Sequence, residues 1–277
     1  MVSQGGAAYP LLLLPVKLAT RIPLCHWKAH PHISPAMRFS ARYCTDLIFT
    51  ATPGSFPMPL AKVRVIGHGI DTELFQPGNT ARERGLLALG RISPVKGLER
   101  VIRALRLCRD RFGTRIDLDI VGPCPPRDES YRRELVELVT TLGLSDQVRF
   151  LDSVEHDAVP DLLGCYRAMV NFSQTAFDKT AGEAMSAGLP LVTTNACTIE
   201  TLPSDLRPRL AAPESDVVAQ AALLHDVLTW DDRTREDVGR RLRAEILREH
   251  SLESFFDKIL TQIQSCFGSR SRPLGRS

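Results

Sequence analysis

Between about residues 63 and 230, short apolar runs that end at turns, three of them at glycine, alternate with stretches whose apolar residues recur at helical spacing. A chain that repeats strand, tight turn and helix in this way closes most economically as a parallel sheet with helices on its faces. Residues 63–66 are β-branched and basic and end at Gly67-His68-Gly69; residues 86–89 are apolar and end at Gly90. Leu98, Val101, Ile102 and Leu105 then fall on one helical face. The pattern predicts strands at 116–121, 147–151, 168–172 and 191–194, and helices at 131–141, 159–163 and 180–187. Gly188 and Pro190 punctuate the last of these helices as a C-terminus should be. In an open parallel sheet, ligands gather beyond the carboxyl ends of the strands, so the glycine turns are the places to look for chemistry.

Outside that stretch the character changes. Residues 216–228, 235–249 and 251–263 read as helices, the last with an apolar stripe of Leu252, Phe255, Phe256, Ile259, Leu260 and Ile263. The first sixty residues read as the end of another α/β unit, with strands at 21–27 and 46–50, a helix near 38–43, and no strand expected ahead of Gly5-Gly6. The implied division is an incomplete first domain at 1–60, a second domain at 61–230, returning helices at 231–267 and a disordered basic tail at 268–277. With 43% hydrophobic residues in 277, the bulk of the chain has enough apolar surface to offset ordering entropy, which excludes a disordered or collagen-like protein.

A net charge of +3 is too small for a dedicated nucleic-acid binder, and no basic-aromatic stripe is present. Seven scattered cysteines without a CxxC pair argue against a disulfide or zinc framework and for free thiols in a reducing cytoplasm. Leu11-Leu12-Leu13-Leu14, bracketed by Pro10 and Pro15, is too short to span a bilayer, which leaves only contact at the inner membrane face open.

Four motifs carry the chemistry. The run from Val65 through Gly69 and Asp71 to Phe75-Gln76-Pro77 is a turn followed by an acid and Phe-x-Pro. Leu89-Gly90-Arg91-Ile92-Ser93-Pro94-Val95-Lys96-Gly97 is a strand end with a basic loop, suited to an anion because fixed cations and a helix N-terminus stabilise negative charge without a metal. Asp119-Ile120-Val121-Gly122-Pro123 and the later Arg149-Phe150-Leu151-Asp152-Ser153-Val154 are two further strand ends. The fourth motif runs from Ser173 to Pro190 and contains Phe177-Asp178-Lys179 and Glu183-Ala184-Met185. Each has a plainer reading: a structural turn, two solvated cations, core packing, and a helix-start acid satisfied by the macrodipole.

In this order the four motifs resemble those of the retaining family-4 glycosyltransferases of the GT-B fold, over about residues 21–265. The resemblance implies an α/β, GT-B-type architecture: one complete C-terminal Rossmann-like domain that holds a nucleoside-diphosphate sugar, and the last part of an N-terminal Rossmann-like domain. It implies that Arg91 and Lys96, beside Gly90, hold the donor diphosphate, that Glu183 accepts hydrogen bonds from the ribose, and that Val154, Asp178 and Lys179 line the donor site. His30, after the strand that contains Trp27, matches a histidine that faces the donor sugar, although His26 and His32 lie close enough to make the group an ordinary loop. No metal or other cofactor is implied, and the acceptor would be a glycan or a lipid-linked hydroxyl.

One departure stands out. The family carries a first glutamate eight positions before Glu183, and position 175 is Thr. Three readings follow: a retaining hexosyltransferase, a nucleotide-sugar-binding remnant or regulatory subunit that has lost transfer, and an epimerase of the nucleotide sugar whose extra carboxylates are not evident.

Overall fold

The computed structural model of the chain describes residues 1–78 and 82–268. It divides into two units: Met1–Gly69 with the chain from Arg248 onward, and Ile70–Leu247. The division falls later than the sequence suggested, at 69/70 instead of 60/61, because the run at 63–66 pairs with the first sheet.

In the first unit, β1 (Val2–Gln4), β2 (Cys25–Trp27), β3 (Leu47–Thr50) and β4 (Val63–Val65) form a parallel sheet in that order. Helix α1 (Ala8–Thr20) follows β1, and α2 (Pro35–Phe39) follows β2. A strand therefore does precede Gly5-Gly6: Val2 to Gln4 pair with Cys25 to Trp27, and Gly5 takes φ +105° to turn the chain into α1. The Leu11–Leu14 run lies inside α1, with Pro15 in its interior. Alternation along β3 sends Leu47 and Phe49 to one face and Ile48 to the other. On the first face Cys25, Leu47, Phe49 and Ile66 receive Phe255, Ile259 and Ile263 from a C-terminal helix, Leu252–Phe267. That is half of the stripe read from the sequence. Its other half, Leu252, Phe256 and Leu260, is exposed.

The second unit contains β5 (Arg84–Leu89), α3 (Leu98–Phe112), β6 (Leu118–Val121), α4 (Glu129–Thr141), β7 (Val148–Leu151), α5 (Val159–Gly164), β8 (Tyr166–Asn171), α6 (Lys179–Ser186) and β9 (Leu191–Thr193). All five strands are parallel, in the order β7-β6-β5-β8-β9. The chain moves outward from β5 to β7, then returns to the other side of β5 as β8, so the β5/β8 boundary is the topological switch point. Leu86, Leu87, Leu118, Ile120, Ala168, Met169, Leu191 and Val192 fill the interior, as expected of strands covered on both faces.

After short helices α7 (Ala196–Thr201) and α8 (Arg207–Leu210), α9 (Val217–Thr229) packs beside α3. Helix α10 (Asp232–Glu249) belongs to this unit as far as Leu247, and not to a separate returning segment that starts at 231. Arg243 fixes it there by donating to the carbonyls of Phe75 (2.9 Å) and Ser186 (2.7 Å), and a Cβ on Gly239 would lie 2.2 Å from the Gly188 carbonyl oxygen. The Leu252–Phe267 helix, α11, closes the described chain; beyond Gly268 the tail expected to be disordered lies outside the described residues. All seven cysteines are free thiols. Among the described residues, no helix is long and apolar enough to cross a membrane.

Candidate functional site at the carboxyl ends of β5 and β8

Where β5 ends, Gly90 adopts φ +133°, a conformation that side chains disfavour, and a Cβ there would lie 3.0 Å from Lys96 Nζ. The chain then makes a short 3₁₀ turn, Pro94–Lys96, closed by Gly97 at φ +62°. This turn folds Lys96 back over Gly90. Gly122, at the end of β6, sits against the same turn: its own missing Cβ would be 2.2 Å from the Gly90 carbonyl oxygen. Two strand-end turns thus approach at backbone distance, which only glycine permits.

At the end of β8, Asn171 and the loop 172–178 supply the opposite wall. Asn195 Nδ2 pins this loop by donating to the carbonyls of Ser173 (3.0 Å) and Thr175 (2.9 Å), while its Oδ1 accepts from the Thr198 amide (2.8 Å). The loop delivers Asp178 to the N-cap of α6. Asp178 Oδ2 then accepts from Lys96 Nζ at 2.5 Å and from Asn171 Nδ2 at 2.8 Å, and its Oδ1 from Thr180 Oγ1 at 3.1 Å. Burial alone would raise the pKa of this carboxyl, but Lys96, Asn171 and Thr180 together outweigh it and hold it below the usual carboxylate range.

Glu183 lies in the second turn of α6 and is only 4% exposed. Burial pushes its pKa up, against the pull of Lys179, whose Nζ is 3.8 Å away, and of His156. Asp178 acts on it with the same sign as burial. A buried carboxylate whose nearest cation is beyond hydrogen-bond distance is suited to accepting from neutral hydroxyls.

Arg91 is exposed at the mouth of the turn and makes no hydrogen bond or ion pair among the described residues. The structure therefore gathers Gly90, Arg91, Lys96, Asp178, Lys179 and Glu183 on one edge of one sheet. Val154 lies apart from them, 39% exposed after β7, two places from β5 in the sheet. His30 lies in the first unit, exposed in the loop after β2, with its Nδ1 accepting from the His32 amide at 3.1 Å. Burial, with Lys28 and His32 nearby, lowers its pKa. Its neighbour His26 is a core residue, 1% exposed and bonded to Ser3 Oγ at 2.9 Å, so the three histidines do not form one cluster. Among the described residues, no group of three or more His, Cys, Asp or Glu side chains is placed to hold a metal ion.

Sequence reasoning missed Asn171, Thr180 and Asn195, which orient the loop and the acid. Asn171 ends β8, Thr180 lies in the first turn of α6 and Asn195 is the N-cap of α7, and no spacing rule marks them. The first motif is largely structural: Asp71 Oδ1 accepts from the amides of Glu73 and Leu74, and Phe75 is wholly buried. The two runs of the third motif are adjacent strands, with Asp119 opposite Arg149 and bonded to it at 2.6 and 2.9 Å.

A family model described as Glycosyl transferases group 1 matches residues 70–244, which is almost the whole second unit. The chain belongs to the glycosyl transferases group 1 family. Among curated relatives within reach of this group 1 chain, a D-inositol 3-phosphate glycosyltransferase of Kribbella flavida is 29% identical over 198 residues, 65% of this chain and 46% of the relative. An MMP alpha-(1->4)-mannosyltransferase of Mycolicibacterium hassiacum is 25% identical over 76% of this chain and 52% of its own length. The group 1 chain thus spans about half the length of these curated relatives.

Among solved structures, HepE of Anabaena in complex with UDP superposes with a TM-score of 0.82 at 18% identity, over 95% of this chain and 78% of that one. Sucrose-phosphate synthase of Thermosynechococcus elongatus gives 0.78 at 18% identity, over 97% and 73%. At such identities the likeness establishes the fold, α/β and GT-B-type.

Proposed function

We propose that this group 1 chain binds a nucleoside-diphosphate sugar and transfers its sugar, with retention at the anomeric carbon, to a hydroxyl of a glycan or lipid-linked acceptor. The observation that carries this reading is the convergence of Gly90, Lys96, Asp178 and Glu183 at the carboxyl ends of the two strands that flank the switch point. There Lys96, Arg91 and the N-terminus of α6 supply positive potential for a diphosphate. Asp178 makes no side-chain bond to the amides of that helix; its backbone carbonyl accepts from those of Ala181 and Gly182. Glu183 would hold the ribose hydroxyls, and Val154 and Lys179 would border the donor.

In the transfer, the bond from the anomeric carbon to the diphosphate oxygen breaks and a bond to the acceptor oxygen forms on the same face. The acceptor proton passes to the departing phosphate oxygen. Negative charge grows on the diphosphate as this happens, and cations already in place stabilise it without reorganisation. Arg91 and Lys96 then do work that would otherwise need a metal ion. The solved HepE neighbour, whose complexes contain UDP and UDP-glucose, makes a uridine nucleotide the first to test.

Thermal unfolding with UDP, GDP and ADP, for the native chain and for an Arg91→Ala, Lys96→Ala double variant, tests the reading. A nucleotide present at about 100 times its Kd adds roughly 2.7 kcal/mol to a protein that binds only when folded. Stabilisation by one nucleotide, lost in the double variant, is expected. A cooperatively folding chain that responds to none of the three refutes the donor-site reading. Stabilisation without transfer of labelled sugar to any acceptor is the result that a binding remnant would give.

A further inference from the structure

On the donor-site reading, the Lys96–Asp178 pair lies where the diphosphate would sit. The cavity bounded by Gly90, Arg91, Lys96, Val170 and Asn171 has a volume of only about 10 Å³, barely the space of one water. Lys96 lines it: its ammonium lies 3.0 Å from where a Cβ on Gly90 would be and ends on Asp178 Oδ2 at 2.5 Å, with the Lys96 side chain 16% and the Asp178 side chain 9% exposed.

Asp178 is also an N-cap aspartate that does not cap. At this position an aspartate ordinarily accepts from the second or third amide of its helix, worth about 1 kcal/mol of helix stability. Here the carboxylate turns away from α6 to Lys96, Asn171 and Thr180. Without the lysine, Asn171 and Thr180 still hold the acid.

We infer that Asp178 is a positioning residue that stows Lys96 across the diphosphate subsite, so that a diphosphate enters only by drawing the ammonium off its internal counter-ion. This rests on the donor-site reading above and deepens it: the acid missing at position 175 is not replaced in role, and the carboxylate at 178 sets how strongly Lys96 is available to the leaving group. A close, partly buried charge pair couples by an amount that corresponds to tenfold or more in affinity, and that coupling opposes the ligand until Lys96 is released.

The test is calorimetric titration of UDP, GDP and ADP into the native chain, Asp178→Asn, Lys96→Met and the double variant. Asp178→Asn is isosteric and is expected to tighten binding of the accepted diphosphate about tenfold, and to do so only when Lys96 is present. Should the asparagine variant fail to fold, Asp178→Ser supplies a neutral capping hydroxyl and carries the same expectation. Unchanged or weaker diphosphate binding in a folded position-178 variant overturns the inference while leaving the donor site standing. Tightening that persists in the Lys96→Met background also overturns it, because the effect would then not pass through the lysine. No binding by the native chain or by any variant refutes the donor-site reading, and the inference with it.

Discussion

Replacing Gly122 by alanine probes the backbone contact on which the site is built. The added Cβ would lie 2.2 Å from the Gly90 carbonyl oxygen and 2.7 Å from its carbon, and the residue would keep φ near +146°. A Cβ and a carbonyl oxygen normally stay more than 3 Å apart, so one of the two turns must move by about 1 Å. Backbone strain of this kind costs about 1–3 kcal/mol, and forcing extra atoms into a packed position costs about as much again. A loss of about 2–6 kcal/mol follows, which for a unit of this size lowers Tm by roughly 4–24 °C.

Gly113→Ala is the matched control: Gly113 also has positive φ, +66°, but a Cβ there meets nothing within 4 Å. It should lose only the conformational part, about 1–2 kcal/mol. Scanning calorimetry of both variants, with nucleotide titration of any Gly122→Ala protein that folds, reads the difference. Equal and small shifts for the two would refute the close approach of the β5 and β6 turns.

Two further outcomes follow from buried titratable groups. Glu183 has a raised pKa in the folded protein, so it takes up its proton before the unfolded chain does, and the stability tied to that proton is lost as pH rises through the folded value. Glu183→Gln is therefore expected to raise the Tm of the unliganded chain at pH 7.5, by a margin that shrinks toward pH 4, while weakening nucleotide binding; a lower Tm at neutral pH would contradict this. His26 shows the opposite case, since burial lowers its pKa from 6.5 to about 4. The unfolded chain protonates this histidine first, so up to roughly 3 kcal/mol of stability, complete above pH 6.5, is lost as pH falls toward 4. Urea midpoints of the native chain and His26→Gln, compared from pH 7 to 4.5, should diverge in slope, and parallel slopes would exclude the effect.

Much of this protein is determined by local sequence. The short apolar runs place all five strands of the larger sheet within two residues of where they fold, and the positive-φ glycines Gly90 and Gly122 mark the ends of two of them. The basic loop from Gly90 to Lys96 and the acid at 183 were equally legible, since each motif is contiguous and its chemistry follows from residue type.

What contiguity cannot supply is which strand lies beside which. Val63–Val65 looks like the first strand of the second unit, but it pairs with Leu47–Thr50, and only that pairing moves the boundary to residue 70. The strand at Val2–Gln4 is three residues long and has no periodicity to read; its partner Cys25–Trp27 makes it a strand. In the same way, the sequence showed Lys96 and Asp178 as separate members of two motifs, 82 positions apart. They meet because β8 returns to the free side of β5. That return is a property of the sheet order, and it converts a surface lysine and a helix-start aspartate into a partly buried pair that no local pattern contains.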